Sequence, residues 1–349
     1  LPYIHRLKSV VLRQRMINGW SMTHAFFNPQ TTTTAKTPVN GVLLLDKPQG
    51  MTSQQAVSRV KWLLKSPMHD SRKAGHTGTL DPMATGLLPI CLGEATKFSH
   101  YQLNAVKSYQ ATIQLGAKTD TGDADGQITE RAALPDLSQV DLVALAASFC
   151  GEQLQTPPMY AALKQDGKKL YELARQGIEV AREPRSITIE ALDLHAPTAD
   201  TLTLNVTCSK GTYVRVLGED IAHALGTVGH LTALRRTATG DFRLDHAITL
   251  ADFEALSSSE RLAKLLPVDA CVATLPVLML TDEQTARIRH GQRLNLSDQR
   301  YQLARIFSQA CATDTPQVVR LYYGGSFLGL GELAAHGRLQ PTKLVQLTP

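Results

Sequence analysis

Residues 75–89 of the chain read Gly75-His76-Thr77-Gly78-Thr79-Leu80-Asp81-Pro82-Met83-Ala84-Thr85-Gly86-Leu87-Leu88-Pro89. Two closely spaced glycines and an Asp-Pro pair are typical of a tight loop that exposes its backbone, here presenting one carboxylate. The apolar run behind the loop leads into a helix or a strand. An ordinary turn has a similar composition, since glycine and aspartate are common turn residues. The pattern therefore predicts a loop that displays Asp81, either as a reactive group or as part of a plain turn.

The order of residues in this loop excludes two common alternatives. A phosphate-binding loop would need Gly-Lys-Ser/Thr at the helix entry, and a hydrolase elbow would need Gly-x-Ser-x-Gly. Neither string occurs in the chain. The whole stretch resembles the catalytic motif of the TruB family of tRNA pseudouridine synthases, which isomerise uridine 55 in the T-loop of tRNA. The resemblance implies that Asp81 is the catalytic nucleophile.

Composition and charge are those of an ordinary folded protein with room for one large domain and a smaller one. The chain has 349 residues, 43% of them hydrophobic, and no apolar run of the length that a membrane span requires. Its net charge of +5 lies in residues 1–39, which hold five basic residues and no acidic one. The remainder has 31 basic and 31 acidic residues, so bulk charge argues neither for nor against RNA binding.

The cysteines and histidines predict no metal site. Five cysteines are scattered without a Cys-x-x-Cys pair, and the eleven histidines never form His-Glu-x-x-His. Dispersed thiols of this kind are typical of reduced cytosolic proteins, so we expect a cytoplasmic location. We also expect no diffusible cofactor, because uridine and pseudouridine have the same composition.

The N-terminal segment, residues 1–39, is predicted to be a disordered or spurious extension. Its basic, acid-free helical pattern is similar to a transit peptide, yet Met16 and Met22 lie inside it, which favours an over-extended reading frame. Order is expected to begin at Gly41, with a buried strand at 42–45. Thr52-Ser53 then predicts the N-cap of a helix that runs to about Leu64.

A strand at 108–115 places Tyr109 at the head of an otherwise apolar face. A tyrosine in that position is often a core residue with its hydroxyl at the rim. The matching tyrosine of the TruB family packs against the target uracil. The resemblance therefore implies that Tyr109 takes part in substrate binding and catalysis.

A second motif, Lys210-Gly211-Thr212-Tyr213-Val214-Arg215, follows a predicted strand at 202–208. We predict a hairpin-like turn at 209–211 and a strand at 212–217, which would put Tyr213 and Arg215 on one face. An arginine buried there needs a carboxylate partner, because an unpaired charge in a core is costly. Asp81 is the obvious candidate. The string resembles the second active-site motif of the family, and implies that Arg215 keeps Asp81 ionised while Tyr213 orients the uracil.

Three more residues are assigned to substrate binding. Leu234 lies in a predicted helix at 228–236, in a Leu-Arg-Arg-Thr string that resembles the family motif whose leucine lines the uracil pocket. His76 is expected to occupy space left by the extruded base, and Lys97 follows the catalytic loop. The acidic segment 120–126 lacks the ligand pattern of a calcium loop, so we predict a polar turn without a catalytic role.

An insertion at about 151–185 is predicted to grip RNA. Lysines and an arginine alternate there with Tyr160 and Tyr171, a mixture that suits phosphate contacts and base stacking. A solvated amphipathic helix would have the same pattern. The segment resembles the family insertion that closes over the T-arm of tRNA.

Together these features predict an α+β pseudouridine synthase fold. Residues 40–274 would form the catalytic domain, with a large mixed, mainly antiparallel β-sheet flanked by helices. Short strands and Gly-rich turns in residues 275–349 predict a small β-rich domain that resembles the PUA-like RNA-binding domain of the family. We expect this domain to supply RNA affinity rather than chemistry.

The expected activity is isomerisation of uridine 55 in tRNA by base flipping, attack of Asp81, C1′–N1 cleavage, uracil rotation and C5–C1′ bond formation. Whether Asp81 attacks the base or C1′ of the ribose stays open. The expected partner is the T-arm of tRNA, with no membrane, no obligate protein partner and a monomeric state. The alternatives are an RNA-binding protein or tRNA-folding chaperone without catalysis, and a synthase acting on another RNA.

Overall fold

The structure is a computed structural model that describes residues 36–165, 167–299, 303–313 and 315–346. Residues 1–35, most of the predicted N-terminal extension, lie outside the described residues. Residues 36–39 belong to the fold. Lys36 Nζ donates to the carbonyl of Ser66 at 2.8 Å, Thr37–Pro38 pairs with His69–Asp70, and Val39 is buried. The expectation that order begins only at Gly41 is therefore wrong.

Sixteen strands precede the C-terminal segment in the described part of the chain. In chain order they are β1 (Thr37–Pro38), β2 (Gly41–Lys47), β3 (His69–Asp70), β4 (Ala74–His76), β5 (Thr85–Leu92), β6 (Lys107–Leu115), β7 (Ala117–Thr119), β8 (Ile128–Arg131), β9 (Gly151–Gln155), β10 (Lys164–Gln165), β11 (Lys168–Lys169), β12 (Arg185–His195), β13 (Thr201–Cys208), β14 (Gly229–Thr239), β15 (Phe242–Arg243) and β16 (Ile248–Thr249).

The α-helices of the described residues are short apart from two. They are α1 (Ser53–Leu64), α2 (Ser99–Leu103), α3 (Leu142–Ser148), α4 (Leu170–Ala174), α5 (Val214–Ala224), α6 (Leu250–Ala255), α7 (Ser258–Ala263), α8 (Asp282–Arg289) and α9 (Ala304–Thr313). The predicted start of α1 is confirmed, since Thr52 and Gln55 form a capping box. Among the residues that the structure describes, no helix is long and apolar enough to cross a membrane.

A ten-stranded sheet forms the body of the protein. Its main path is β16-β2-β5-β14-β6-β13-β12-β9, with β4 and β15 paired at its side. Neighbours are antiparallel except for β16 with β2 and β5 with β14, so the predicted mixed, mainly antiparallel sheet is confirmed. Strands β2 and β5 are buried along nearly their whole length, as expected for strands covered on both faces.

The residues after Tyr213 form a helix instead of the predicted strand. Helix α5 begins at Val214 and buries Val214, Leu217, Ile221 and Ala222. That spacing has the three-to-four residue period of a helix, which outweighs the shorter alternation at 213–217. Tyr213 is the residue that precedes the helix. The predicted common strand face of Tyr213 and Arg215 is therefore wrong.

The predicted helix at 228–236 is a strand, β14, in the middle of the sheet. Its register with β6 shifts between Leu231 and Ala233, and again between Arg236 and Ala238. Each irregularity breaks the simple alternation of buried and exposed side chains. The sequence of β14 therefore lacks the period of two by which a strand is normally recognised. Leu231 and Leu234 face the core despite their spacing of three.

Part of the predicted insertion belongs to the main sheet. Residues 151–155 are the edge strand β9, which pairs with β12. The segment that leaves the sheet runs from Thr156 to Pro184 and contains the small hairpin of β10 and β11 followed by α4.

The C-terminal residues form a separate five-stranded sheet in the order β17-β19-β20-β21-β18. Its strands are β17 (Val277–Met279), β18 (Leu294–Asn295), β19 (Gln317–Tyr323), β20 (Ser326–Leu333) and β21 (Arg338–Leu344). This small β-rich unit is the architecture that the sequence predicted for residues 275–349.

The two sheets share a hydrophobic cluster. Phe98 packs edge-on against Phe327 of β20, with ring centroids 5.3 Å apart, and Leu87 and Cys91 of β5 lie in the same cluster. Polar contacts follow the same junction: Gln346 N donates to Glu94 Oε2 at 2.8 Å. The C-terminal sheet is thus packed on the ten-stranded sheet through a common core.

This shared core predicts a large stability effect at Phe327. Phe327→Ala should lower the free energy of unfolding by roughly 3–5 kcal/mol, because it removes a buried ring that contacts both sheets. Tyr323→Ala, at a partly exposed position of the neighbouring strand, is the control and should cost under about 1 kcal/mol. Urea denaturation measures both values. Equal losses for the two variants would contradict the common core.

Candidate active site

The loop that carries Asp81 connects β4 to β5 and is anchored on both sides of the carboxylate. Leu80 N donates to Ser53 Oγ at 2.8 Å, and Ser53 Oγ donates back to the Leu80 carbonyl at 3.0 Å. On the other side, Gly50 N donates to the Pro82 carbonyl at 2.8 Å. Met83 is buried in the core. The start of α1 and the turn after β2 therefore hold Asp81 in place.

Gly86 allows this loop to enter the sheet beside β14. Its φ is +100°, and a Cβ at this position would lie 2.3 Å from the Arg236 carbonyl oxygen. No side chain fits that gap. The loop and the strand that follows it can therefore approach β14 only through a glycine.

Asp81 and Arg215 form the ion pair that the sequence predicted. Arg215 Nη2 lies 3.0 Å from Asp81 Oδ2, and the arginine side chain is only 4% exposed. The guanidinium reaches Asp81 through Nη2. The other contacts of the guanidinium are to the carbonyls of Thr121 at 2.6 Å and Tyr160 at 2.7 Å, and to Asp123 Oδ2 at 3.6 Å.

The pKa of Asp81 is raised above the ordinary value of an aspartate. Burial in the protein is the main cause, the positive charge of Arg215 acts in the opposite direction, and the negative charge of Asp123 adds to the rise. Arg215 thus offsets only part of the cost of desolvating the carboxylate. The side chain is still 37% exposed at the cavity floor, so an ionised Asp81 remains within reach of a substrate.

The acidic segment 120–126 takes part in the site, although the sequence predicted only a polar turn. Asp123 is buried, accepts from Thr121 Oγ1 at 2.6 Å and from Asp125 N at 3.2 Å, and faces Arg215. The missed signal is that a fully buried arginine usually requires more than one acceptor.

A first cavity of about 410 Å³ opens beside Asp81. Tyr109, Tyr213 and Leu234 line it, as do two cations that the sequence analysis missed, Lys107 and Arg236. Burial raises the pKa of both tyrosines, so their hydroxyls stay protonated at neutral pH. The structure therefore brings together five of the predicted residues around one space: Asp81, Tyr109, Tyr213, Arg215 and Leu234.

Tyr213 is held by its backbone. Its N–H donates to Gln155 Oε1 at 2.8 Å, and Gln155 Nε2 donates to the Tyr213 carbonyl at 3.2 Å. Gln155 is the buried last residue of β9. An amide side chain that satisfies both main-chain groups of one residue fixes its position, yet a lone glutamine gives no sequence signal for this.

A second cavity of about 750 Å³ also borders Asp81 and Arg215. It is lined by His76, by the acidic segment and by the insertion. On the insertion, Lys169 Nζ and Arg175 Cζ lie 5.3 and 5.4 Å from the centroid of the Tyr171 ring, within the range of cation–π contacts. Burial, together with the positive charge of Arg236, lowers the pKa of His76. A neutral His76 at physiological pH follows from these two effects.

Lys97 lies apart from both cavities. Its Nζ pairs with Glu94 Oε2 at 2.6 Å and donates to the Leu344 carbonyl at 2.7 Å. The residue therefore joins the catalytic part to the C-terminal sheet. The structure does not bring it together with Asp81.

Buried Lys47 is a further cation near the loop that carries Asp81. Its Nζ donates to the carbonyls of Pro48 and Met51 at 2.8 and 2.6 Å, and burial lowers its pKa to about 8, although the charge of Asp81 acts to raise it. Within the described ranges, no group of three or more His, Cys, Asp or Glu side chains is placed to hold a metal ion.

Three family models match consecutive parts of the chain. The TruB family pseudouridylate synthase N-terminal domain matches residues 65–214, the tRNA pseudouridylate synthase B C-terminal domain matches 215–273, and the pseudouridine synthase II TruB C-terminal model matches 276–345. The last two matches meet close to the boundary between the two sheets.

Curated relatives match over most of their length. The tRNA pseudouridine synthase B of Psychrobacter cryohalolentis is 55% identical over 342 residues, which cover 89% of this chain and 95% of that protein. The protein of the same name from Dechloromonas aromatica is 48% identical and covers 88% and 96% of the two chains.

Solved structures support the same fold. A chain from the crystal structure of a Cbf5-Nop10-Gar1 complex superposes with a TM-score of 0.61 at 22% identity, covering 89% of this chain and 86% of that chain. At that identity the likeness concerns the fold alone. With the family models it confirms the α+β pseudouridine synthase fold, and the small sheet agrees with a PUA-like domain. The family models match residues of both sheets and the loop that carries Asp81, so the chain belongs to the TruB family of pseudouridylate synthases.

Proposed function

We propose that this protein is a tRNA pseudouridine synthase that isomerises uridine 55 in the T-loop of tRNA. The observation that carries the proposal is the Asp81–Arg215 ion pair at the floor of a cavity bordered by Tyr109 and Tyr213. A protein that only binds RNA would gain nothing from a carboxylate that faces a phosphodiester polymer. The relatives that match at 55% and 48% identity over most of the chain bear the name of this activity.

The reaction requires the uracil to leave the stacked T-loop. Extruding a base costs a few kcal/mol, which contacts in the enzyme cavity must offset. In our proposal the extruded ring enters the first cavity, where Tyr109 and Tyr213 orient it and Leu234 forms a wall. His76, in the neighbouring cavity, fills space left in the RNA.

Asp81 acts as the nucleophile in this proposal, and two routes are open. Its carboxylate oxygen attacks C1′ of the ribose, with the C1′–N1 bonding pair passing to N1, or it adds to the pyrimidine ring. Either route ends with a bond between C5 and C1′, a proton leaving C5 and a proton arriving at N1. Atoms and electrons balance without an oxidant or reductant. Arg215 stabilises the ionised carboxylate before the attack.

RNA affinity comes in part from outside the first cavity. Lys169, Arg175 and Tyr171 on the insertion present cations beside an aromatic ring, a combination that suits RNA phosphates and unstacked bases. We propose that the insertion contacts the T-arm and that the C-terminal sheet, residues 275–349, adds affinity without chemistry. The protein would act as a monomer, without a cofactor or an obligate protein partner.

The first prediction concerns the nucleophile. Asp81→Asn should abolish pseudouridine formation at position 55 while tRNA still binds, because the amide keeps the shape of the side chain but is a far poorer nucleophile. Asp245→Asn, at an exposed position far from Arg215, is the control and should react like wild type. Pseudouridine sequencing of an unmodified tRNA incubated with each protein gives the readout.

Measurable product from Asp81→Asn would remove Asp81 from the chemistry. Pseudouridine made by the wild type in another RNA, and not in tRNA, would replace the proposed substrate. A wild type that binds tRNA without forming pseudouridine would leave a binding protein or chaperone as the function.

The second prediction concerns Arg215. Arg215→Lys should fold and bind tRNA but slow single-turnover isomerisation by roughly 100-fold or more. One ammonium group cannot replace a guanidinium that reaches Asp81, Asp123 and two carbonyls at once. Rates at saturating enzyme, with binding measured separately, test this. A lysine variant within about threefold of the wild-type rate would mean that a simple positive charge is sufficient.

The third prediction is a pH effect. Because burial and Asp123 raise the pKa of Asp81, activity should fall with decreasing pH already above the ordinary aspartate value near 3.8. Asp123→Asn removes one negative neighbour, so the acidic limb of kcat/KM should move to lower pH even though the variant is slower. Single-turnover profiles of wild type and variant show the direction. If the acidic limb of Asp123→Asn stays at the wild-type pH or moves to higher pH, the charge of Asp123 is not a cause of the raised pKa of Asp81.

A further inference from the structure

Two positively charged side chains in the wall of the first cavity have no carboxylate partner. Lys107 is 7% exposed and Arg236 is 1% exposed. In the part of the chain that the structure describes, no Asp or Glu oxygen lies within 4.0 Å of either charged group. The other buried arginine of the site, Arg215, contacts two carboxylates.

Main-chain carbonyls hold both cations. Lys107 Nζ donates to the carbonyls of Gln102, Leu103 and Ala105 at 3.1, 3.1 and 2.6 Å, which places it against the end of α2. Arg236 Nε donates to the Leu87 carbonyl at 2.7 Å and Nη2 to the Gly78 carbonyl at 3.0 Å. These carbonyl dipoles solvate the charges without neutralising them.

The two cations and Tyr109 form one surface of the cavity. Lys107 and Tyr109 lie on the same face of β6, and Arg236 is the register partner of Tyr109 on β14. Gly78 closes over them: a Cβ there would lie 3.4 Å from Arg236 Nη1 and 3.6 Å from Lys107 Cε. The nucleophile loop is thus packed directly on the cationic pair.

This arrangement is costly in the resting protein. Burying a charge without a counter-ion is unfavourable, and a neutral uracil does not need one. Among the described residues that line the cavity, Asp81 is the only acidic one, against Lys107, Lys210, Arg215 and Arg236. A cavity with excess positive charge is suited to a ligand that becomes negative during the reaction.

We propose that Lys107 and Arg236 are catalytic residues that stabilise the negative charge developing on the uracil ring when Asp81 attacks. The inference rests on the proposed isomerisation. It does not depend on which route Asp81 takes. Attack at C1′ sends the C1′–N1 bonding pair to N1, and the ring leaves as an anion with charge on its two carbonyl oxygens. Addition to the ring sends a π-electron pair toward C4 and its oxygen.

Both routes therefore produce an anionic ring next to the cationic pair, and both recover neutrality when C5 bonds to C1′ and N1 gains a proton. Preorganised donors and charges aimed at developing negative charge lower the barrier, because they need no reorganisation when the charge appears. Removing one such group typically slows a reaction by roughly 100-fold.

The test compares two substrates that differ in how readily the ring carries negative charge. One tRNA has uridine at position 55 and the other has 5-fluorouridine there, whose fluorine withdraws electrons and stabilises the ring anion. Lys107→Met and Arg236→Gln are measured with each under single-turnover conditions at pH 7. Loss of the target nucleoside is followed by liquid chromatography of the digested RNA, which separates isomers of equal mass. Arg261→Met is the matched control, because Arg261 also donates to three carbonyls but does not line the cavity.

We expect the single-turnover rate of both cavity variants to fall by roughly 100-fold with uridine and by clearly less with 5-fluorouridine, while tRNA affinity stays unchanged. Arg261→Met should have the same defect, if any, with both substrates. Equal defects of the cavity variants on the two substrates would reduce Lys107 and Arg236 to structural residues and overturn the inference. The inference is also overturned if the variants bind tRNA more weakly and the slope of log binding constant against log salt concentration falls by about one. That result would show that Lys107 and Arg236 contact a phosphate of the RNA.

A second measurement works if the neutral variants fail to fold. Burial lowers the pKa of Lys107 to about 8, assisted by the charges of Arg236 on β14 and Lys210 after β13 and opposed by Cys208 at the end of β13. The wild-type kcat/KM with uridine should therefore fall as pH rises through about 8. Lys107→Arg keeps its charge and should move this basic limb to higher pH. If the basic limb of kcat/KM lies at the same pH in Lys107→Arg and in the wild type, the inference is overturned.

The outcomes separate this inference from the proposed function. If the wild type forms no pseudouridine in tRNA, the proposed function fails. If the wild type forms it and the variants show no substrate-dependent defect, only the role of Lys107 and Arg236 fails.

Discussion

The guanidinium of Arg215 is the interaction on which the rest of the site depends. It contacts the nucleophile loop through Asp81, the acidic segment through Thr121 and Asp123, and the insertion through Tyr160. A buried arginine is tolerated only when its donors are satisfied, so Arg215 and these segments stabilise one another. A defect in any one segment therefore reaches Asp81 through a single side chain.

A second constraint comes from the close contact of β5 with β14. Gly86 removes the side chain that would separate the strands, and Arg236 reaches across the contact to the carbonyls of Gly78 and Leu87. One arginine therefore bonds the nucleophile loop near its start and the strand just beyond its end. The backbone of the loop has little freedom, which suits a carboxylate that must be aimed at a defined atom.

The motifs in the sequence were sufficient to predict that Asp81 pairs with Arg215 and that the fold has a mainly antiparallel sheet, because short strings carry that resemblance. They failed where long-range packing decides. Residues 212–217 alternate like a strand, yet the apolar positions as far as Ala222 favour the helix that the structure contains. The bulges of β14 hide its period of two. Asp123, Gln155 and Lys107 were missed because their importance comes from partners that are distant in sequence, and none of them belongs to a recognisable string. Arg236 lies in the Leu-Arg-Arg-Thr string, but only its leucine was assigned to the site.

The common core of the two sheets has a consequence for how such a protein evolves and can be engineered. Phe98 and Phe327 contact each other edge-on, and Leu87 of the strand behind the nucleophile loop lies in the same cluster. The C-terminal sheet is therefore not an interchangeable module. Grafting it onto another enzyme would require the recipient to carry a matching apolar face, and the two surfaces must change together over time. The distance from Asp81 to the C-terminal sheet is then set by side-chain packing, so the two parts are held at a fixed separation.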